Sequence, residues 1–372
     1  MMSNRHNLAI KTFLVILFTF ILIGGLVQNG YSQGSAKPIK LTFALFQPAV
    51  AALSKTNTEF AREIERRTNG RVQIQIFQSG SLLGAPAMYQ GIRSGIADMG
   101  NGISSYSPGN FPFTSIGELP NNTQSGWAVS NAQYDFHMQY KPKEWSEVHL
   151  LTVVSAGYDI MGVGMGKKPI RTLEDWKGKS VRTNHADIIV ALGGTVKDIP
   201  MADVYDSISK GVVDGVVGSL EPFGAWRLGD VAKFLTVNTS PVQPSVMWYN
   251  AMNLAKWNSL PPDIQKIITE VSREYSGKLG STWDDQAVAG LQYCKKLGNS
   301  IYVLPKDEAD RWMNATLPVI DARLEKLATK GMTRAQVEEA WNYFKAKVEY
   351  WNGQQEKNGV TPVLDRLAKV LD

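Results

Sequence analysis

Two stretches near the start of this chain, Ile39-Lys40-Leu41-Thr42-Phe43-Ala44 and Val72-Gln73-Ile74-Gln75-Ile76, alternate apolar and polar residues as half-buried strands do. Between them, about Ala51 to Thr68 shows helical spacing. Phe60, Ala61 and Ile64 form one stripe, and Glu63, Glu65, Arg66 and Arg67 a solvated one. Asn69-Gly70 supplies the turn that closes this helix. A short helix over Ala87 to Ser94, ended by Gly95, and a strand around Ile96 to Met99 complete a strand-helix-strand-helix-strand order, the pattern of a parallel α/β sheet.

The same rhythm restarts after residue 150. Strands are predicted at Leu150–Val154, Met161–Met165, Ser180–Arg182 and Val212–Val217. Helical segments are predicted at Leu173–Trp176, Ile188–Leu192 and Met201–Lys210. Two α/β lobes fit this better than one large sheet. From about Pro261 onward the spacing is almost wholly helical, over Asp263–Lys296, Lys306–Leu327 and Thr333–Trp351, with Thr333 and Gln336 placed as a capping box. No internal repeat and no low-complexity segment interrupts the chain.

Composition narrows the class. At 372 residues, 44% apolar and 20% charged, the chain is globular and long enough for two or three cores. Arg5 and Lys11, then the apolar run Thr12 to Val27, then the small residues Gly30 and Ser32, read as a signal peptide over 1–32 cleaved before Gln33. An uncleaved anchor is the second reading. Without Arg5 and Lys11 the balance is 37 Lys+Arg against 34 Asp+Glu, too even to argue for nucleic acid. The single cysteine, Cys294, lies in a helical pattern away from the signal, so neither an internal disulfide nor a lipid anchor is expected. His6, His137, His149 and His185 are widely spaced, and no metal site or cofactor is expected. Gly162-Val163-Gly164-Met165-Gly166 resembles a dinucleotide loop only superficially, because Lys167-Lys168-Pro169 follows where a helix would begin.

Arg182 stands apart from the other cations. It ends a short strand opposite Asp214-Gly215, the position from which α/β lobes face their ligand crevice. A guanidinium there matches a carboxylate with two charge-assisted hydrogen bonds. The structural alternative is an ion pair with Asp203 or Asp214. Glu221, just past the next strand, is placed either to meet a ligand hydroxyl or orient Arg182, or to be a solvated loop acid. Trp312, Trp341 and Trp351 fall in helical register as packing residues, whereas Trp226, Trp248 and Tyr249 lie in segments that link the lobes.

Several segments together resemble one family. They are Phe60–Ile64 through Thr68–Val72, Gly91–Met99, Thr172–Arg182, Met201–Tyr205, Gly211–Gly215 and Leu260–Lys266. In this order and spacing the chain resembles, from about residue 39 to 350, the DctP-type substrate-binding proteins of tripartite ATP-independent periplasmic (TRAP) transporters. The resemblance implies an α/β, two-lobe periplasmic-binding-protein-like (type II) fold with a helical C-terminal region. Lobe I would comprise 36–155 plus about 245–285, and lobe II 156–244 plus about 286–372. It implies a monomeric periplasmic protein, without catalysis, that binds a small organic acid and delivers it to TRAP permease membrane subunits.

Arg182 matches the family's carboxylate-binding arginine. Phe46, Gly102, His185 and Met201 fall at positions that line the cleft in relatives, and Tyr158, Asp159, Glu221 and Trp248 complete the expected ligand-binding set. Many relatives carry a second cleft arginine where this chain has Gly157-Tyr158-Asp159-Ile160-Met161-Gly162, and an Asn-Pro where it has Gly218-Ser219-Leu220-Glu221. These departures favour a monocarboxylate, aromatic or oxo, over a C4-dicarboxylate. Two alternatives remain open. One is an exported enzyme using Asp159, Glu221 or His185 as acid or base; the other is a sensor presenting its ligand-bound form to a membrane kinase.

Overall fold

The computed structural model describes residues 37–328 and 331–372; the segment expected to be a signal peptide, 1–32, lies outside them. Among the described residues eleven strands fall into two sheets. The first contains β1 (Ile39–Leu45), β2 (Val72–Phe77), β3 (Met99–Ile103), β4 (Val148–Ala156) and β10 (Val246–Asn253), in the order β2-β1-β3-β10-β4. The second contains β5 (Gly162–Met165), β6 (Ser180–Arg182), β7 (Thr195–Val196), β8 (Gly215–Gly218), β9 (Phe234–Val237) and β11 (Ser300–Val303), in the order β11-β9-β5-β8-β6-β7.

The sheets are mixed, which corrects the expectation of parallel ones. β1 runs parallel to β3, and β6 parallel to both β7 and β8. β10, however, is antiparallel to β3 and β4, and β5 is antiparallel to β8 and β9. The cause is connectivity. The chain leaves the first sheet through β4 to begin β5 in the second, and leaves β9 to begin β10 in the first. A strand that arrives from the other sheet need not share the direction set by local strand-helix-strand crossovers.

Helices cover these sheets. They are α1 (Ala52–Arg67), α2 (Met88–Arg93), α3 (Gly126–Tyr140), α4 (Ala186–Ala191), α5 (Val204–Ser209), α6 (Glu221–Ala225) and α7 (Leu254–Asn258). Four more follow: α8 (Pro262–Lys296), α9 (Lys306–Ala328), α10 (Arg334–Asn352) and α11 (Val363–Leu371). The 35 residues of α8 make a rod of about 52 Å. It packs on α1, α3 and β4 at one end and on α6 and β11 toward the other, so one rigid element joins both lobes. Two glycines allow its close approach. A Cβ on Gly280 would strike the Gly126 carbonyl, and one on Gly290 the Leu220 carbonyl. Thr333 and Gln336 form the expected capping box at the start of α10. Of the stretch 286–372 expected on lobe II, α10 packs instead against α3, with Val337, Phe344 and Val348 joining Val129 and Phe136 in one apolar cluster.

The strands β7, β9, β10 and β11 and the helices α3, α6 and α7 lie outside the sequence expectations. β10 reads Val-Met-Trp-Tyr-Asn-Ala-Met-Asn and is buried on both faces, so it does not alternate. α3 is buried around most of its circumference and carries Ser130, Asn131 and Gln133 inward, which erases its amphipathic signal. Among the described residues no helix is long and apolar enough to cross a membrane.

Candidate functional site

The carboxyl ends of the parallel strands converge on one chamber between the sheets, where open α/β folds bind their ligands. Phe46 follows β1, Tyr106 follows β3, Arg182 ends β6, and Ser219 and Glu221 follow β8. Trp248 at the start of β10 and Trp283 in the middle of α8 close the space, which has an empty volume of about 530 Å³.

Local chemistry fixes Arg182. Its strand is registered on β8 by Val181 opposite Gly215 and Arg182 opposite Val216. Asp214 strengthens that register: its carboxylate accepts from Ser180 N at 2.9 Å, and its own N–H donates to Ser180 O at 2.7 Å. Gly178 and Gly211 supply left-handed turn residues, at φ 74° and 71°, that start these two strands. Asp214 is therefore occupied with backbone, and the expected alternative of an ion pair from Arg182 to Asp203 or Asp214 is not what the structure holds. Arg182 is 4% exposed. Its Nε donates to Ile199 O at 3.1 Å and its Nη2 to Tyr106 Oη at 3.3 Å. Among the described residues no carboxylate pairs with it.

Asp159 and Glu221 form the other polar region of the chamber. Asp159, 2% exposed, accepts from Asn184 Nδ2 at 3.1 Å. His185 Nε2 lies 3.1 Å from the same carboxylate without the alignment of a hydrogen bond. Glu221, 4% exposed, opens α6 and makes no hydrogen bond or ion pair among the described residues. Burial and the neighbouring Asp159 charge push its carboxyl up to about 8. Glu221 does not touch Arg182, so the expectation that it orients the guanidinium is not met.

An aromatic wall faces these groups. Phe46 and Trp248 stack at 5.6 Å, Tyr106 meets Phe46 edge-on at 6.3 Å, and Trp283 lies 4.9 Å from Trp248. The indole N–H groups of Trp248 and Trp283 are buried without acceptors among the described residues. Tyr106 spans the cleft: its hydroxyl accepts both from Arg182 and, at 2.9 Å, from Met201 N.

The structure thus brings Phe46, Asp159, Arg182, Met201, Glu221 and Trp248 to one chamber, together with Trp226. His185 lines a larger adjoining cavity of about 1520 Å³, beside Asp187, Glu118 and Arg323. Arg323 is engaged bidentately by Asp187 at 2.7 and 2.6 Å. Two expected residues face elsewhere. Gly102 sits under the Tyr249 ring, which a Cβ would strike, and so serves packing within the first sheet. Tyr158, at φ 60°, donates to the Thr123 carbonyl and borders a separate small cavity with Asp284.

Sequence reasoning missed Tyr106, Asn184 and Trp283. Trp283 carried only a faint signal, its place in a long helical pattern after Gly277 and Gly280, which mark a close approach to another helix while Trp283 itself meets Trp248. Tyr106 had none beyond following a glycine-rich strand.

Two sheets flanking a small, buried, cation-bearing chamber define the class of two-lobe solute-binding proteins. The family described as bacterial extracellular solute-binding protein, family 7 (DctP), matches residues 46–327, and the chain belongs to it. Its members are binding proteins of transport systems rather than enzymes. Among solved structures, a TRAP periplasmic solute-binding protein from Desulfovibrio salexigens is 30% identical. The match covers 83% of this chain and 96% of that one at a TM-score of 0.71, and that structure is an open complex with the C-terminus of a symmetry mate in its ligand-binding site. A TRAP solute-binding protein from Rhodoferax ferrireducens, in complex with copurified benzoate, is 25% identical over 85% of this chain and 99% of that one, at a TM-score of 0.78. The monocarboxylate 2-oxoacid-binding periplasmic protein of Nostoc is 23% identical over 304 residues, 78% of this chain and 80% of the relative.

Proposed function

We propose that the chain is a periplasmic receptor that captures a small monocarboxylate between its lobes and delivers it to the membrane subunits of a TRAP permease. One observation carries the reading: the Arg182 guanidinium is buried at a ligand chamber and no carboxylate among the described residues neutralises it. Burying a charge without a counter-charge is costly, and an incoming carboxylate removes that cost with charge-assisted hydrogen bonds.

Among the described residues Arg182 is the only cationic side chain lining the chamber, which supports one carboxylate rather than two. The stacked Phe46 and Trp248 support a planar or apolar body for the rest of the ligand. The benzoate of the Rhodoferax relative and the 2-oxoacid of the Nostoc relative's name agree with this chemistry.

Binding proceeds by closure. The carboxylate takes the Nη2 hydrogen bond that Tyr106 Oη now accepts, the lobes shut around it, and exclusion of water strengthens the ion pair. The ligand shifts an existing open–closed equilibrium by the difference in its affinity for the two states. Turnover plays no part in this cycle. Export removes residues 1–32, so intact mass of the periplasmic form begins at Gln33. A thermal-shift panel of mono- and dicarboxylates tests the reading. A ligand present at ~100 times its Kd stabilises the protein by about 2.7 kcal/mol, a readily measured rise in Tm. If no acid raises Tm, or if an acid is consumed, the receptor reading fails.

A further inference from the structure

Glu221 is the second group in the chamber that nothing in the fold satisfies. Its side chain is buried and lines the chamber, and its carboxyl oxygens meet no donor among the described residues. The same space holds two buried indole N–H groups without acceptors, on Trp248 and Trp283. Arg182 already satisfies part of its fork on Ile199 and Tyr106, and it does not contact Glu221. The chamber therefore has two separate polar ends with an aromatic wall between them.

We propose that Glu221 is a specificity-determining group, and that the ligand is a monocarboxylate bearing a second, uncharged polar group, a hydroxyl or a ketone oxygen, directed at it. This rests on the carboxylate reading of Arg182.

The neighbours of Glu221 decide which chemistry it offers. Asp159, held by Asn184 and beside His185, is the charge that acts on it. On α8, Asp284 is occupied by the Gly126 N–H and the Cys294 thiol is buried. On the turn Leu228–Asp230, Asp230 is taken by Arg227 and by Tyr293 Oη. Among the described residues no cationic side chain pairs with Glu221, and with burial and Asp159 pushing its carboxyl up to about 8 it is protonated at neutral pH. A protonated carboxyl donates its O–H to a ketone oxygen, or accepts from a hydroxyl through its carbonyl oxygen. A second ligand carboxylate would instead be placed against the Asp159–Glu221 pair, which disfavours dicarboxylates. A ligand ammonium would draw the proton off Glu221 and release it to solvent.

Calorimetry on two ligand scaffolds tests this. The three-carbon set is propionate, lactate, pyruvate, alanine and malonate. The phenyl set is phenylacetate, mandelate, phenylglyoxylate, phenylglycine and phenylmalonate. Within whichever scaffold binds, the hydroxy or oxo acid is expected to bind about tenfold or more tighter than the plain acid, the worth of one buried hydrogen bond. Glu221→Gln, neutral at every pH, keeps that preference, and Glu221→Leu erases it. In the wild type the preference for the oxo acid fades as pH rises past about 8, where Glu221 loses the proton it donates, whereas in Glu221→Gln it persists; the hydroxy acid keeps its advantage at high pH, because an ionised carboxylate still accepts from a hydroxyl. Circular dichroism confirms that each variant is folded, and the Gln variant carries the test if the Leu variant is not.

Three outcomes overturn the proposal while leaving the carboxylate reading intact: plain acids binding as tightly as their hydroxy and oxo partners, the preference surviving in Glu221→Leu, or the amino or dicarboxylate member binding tightest. If no carboxylate of either set binds, the reading of Arg182 falls and this one with it.

Discussion

The two walls of the chamber are built from different materials. The wall following β1, β3 and β10 is aromatic: Phe46, Tyr106 and Trp248, backed by Trp283. The wall following β6 and β8 carries ionisable groups, Arg182 and Glu221, with Asp159 between the sheets beside them. The rings of the aromatic wall pack on one another whether or not a ligand is present, and only the indole N–H groups of Trp248 and Trp283 lack acceptors among the described residues. The polar wall is different, because among the described residues no carboxylate pairs with the buried guanidinium and no donor meets the buried Glu221 carboxyl. Folding packs the rings of one wall and leaves the ionisable groups of the other to the ligand. Affinity should therefore depend on the second wall, and the shape of the ligand's body on the first.

Removing the charge from the polar wall breaks the comparison most severely. Arg182→Ala is expected to weaken binding of the cognate acid on the order of a thousandfold, since it leaves a carboxylate buried and unpaired. The apo protein should stay folded, because it loses an uncompensated charge; equal affinity by calorimetry would refute the anchor. Trp248→Ala removes one ring from the opposite wall and should cost about tenfold in affinity, the scale of one stacking contact. A loss matching that of Arg182→Ala would erase the asymmetry between the walls.

The pH dependence of stability gives a finer test. Glu221 is shifted from its ordinary value of 4.5 to about 8 in the folded chain, so between these values the folded state holds a proton that the unfolded state has lost. The stability linked to it is complete below pH 4.5 and is lost as pH rises through 8. Asp284, moved by burial from 3.8 to about 7, acts in the same direction over a lower window. Glu221→Gln removes the first contribution. The variant's Tm should therefore gain on the wild type steadily as pH is raised from about 5 to about 8, and parallel Tm curves would argue against a buried neutral acid. The smallest effect is expected from Tyr106→Phe, which deletes the hydroxyl that accepts from Arg182 and Met201. Freed of this competitor, the guanidinium should bind the acid up to a fewfold tighter, on the scale of one neutral hydrogen bond; a large loss in affinity would make Tyr106 part of the ligand's own binding set.

Much of this arrangement was legible in the chain. The spacing over Asp263–Lys296 anticipated α8 to within one residue, and the Thr333–Gln336 box is where the sequence places it. Ser180–Arg182 is a strand where the sequence predicts one, while the strand predicted over Val212–Val217 begins only at Gly215; the two pair with the arginine at the crevice. Such features are local, set by periodicity and turn chemistry. What escaped is set between distant segments. β10 pairs with β3 and β4, and burial on both faces hides its alternation. Glu221 is named from the sequence as a candidate ligand contact, but its buried, raised carboxyl is set only where β8, Asp159 and α8 enclose it, by desolvation and not by its neighbours in sequence. Tyr106 reaches Arg182 across 76 positions of sequence, a contact no local pattern announces.

The dependence of binding on the charge seen by Arg182 is tested most directly by titrating the wild-type protein with its best acid from the panel and with the primary amide of that acid. The two ligands share a body and differ in the carboxylate. Stoichiometric binding of the acid with the amide weaker by at least a hundredfold, the scale of a charge-assisted pair against a neutral one, is the expected result. An amide that binds as tightly as the acid would contradict Arg182 as the carboxylate anchor.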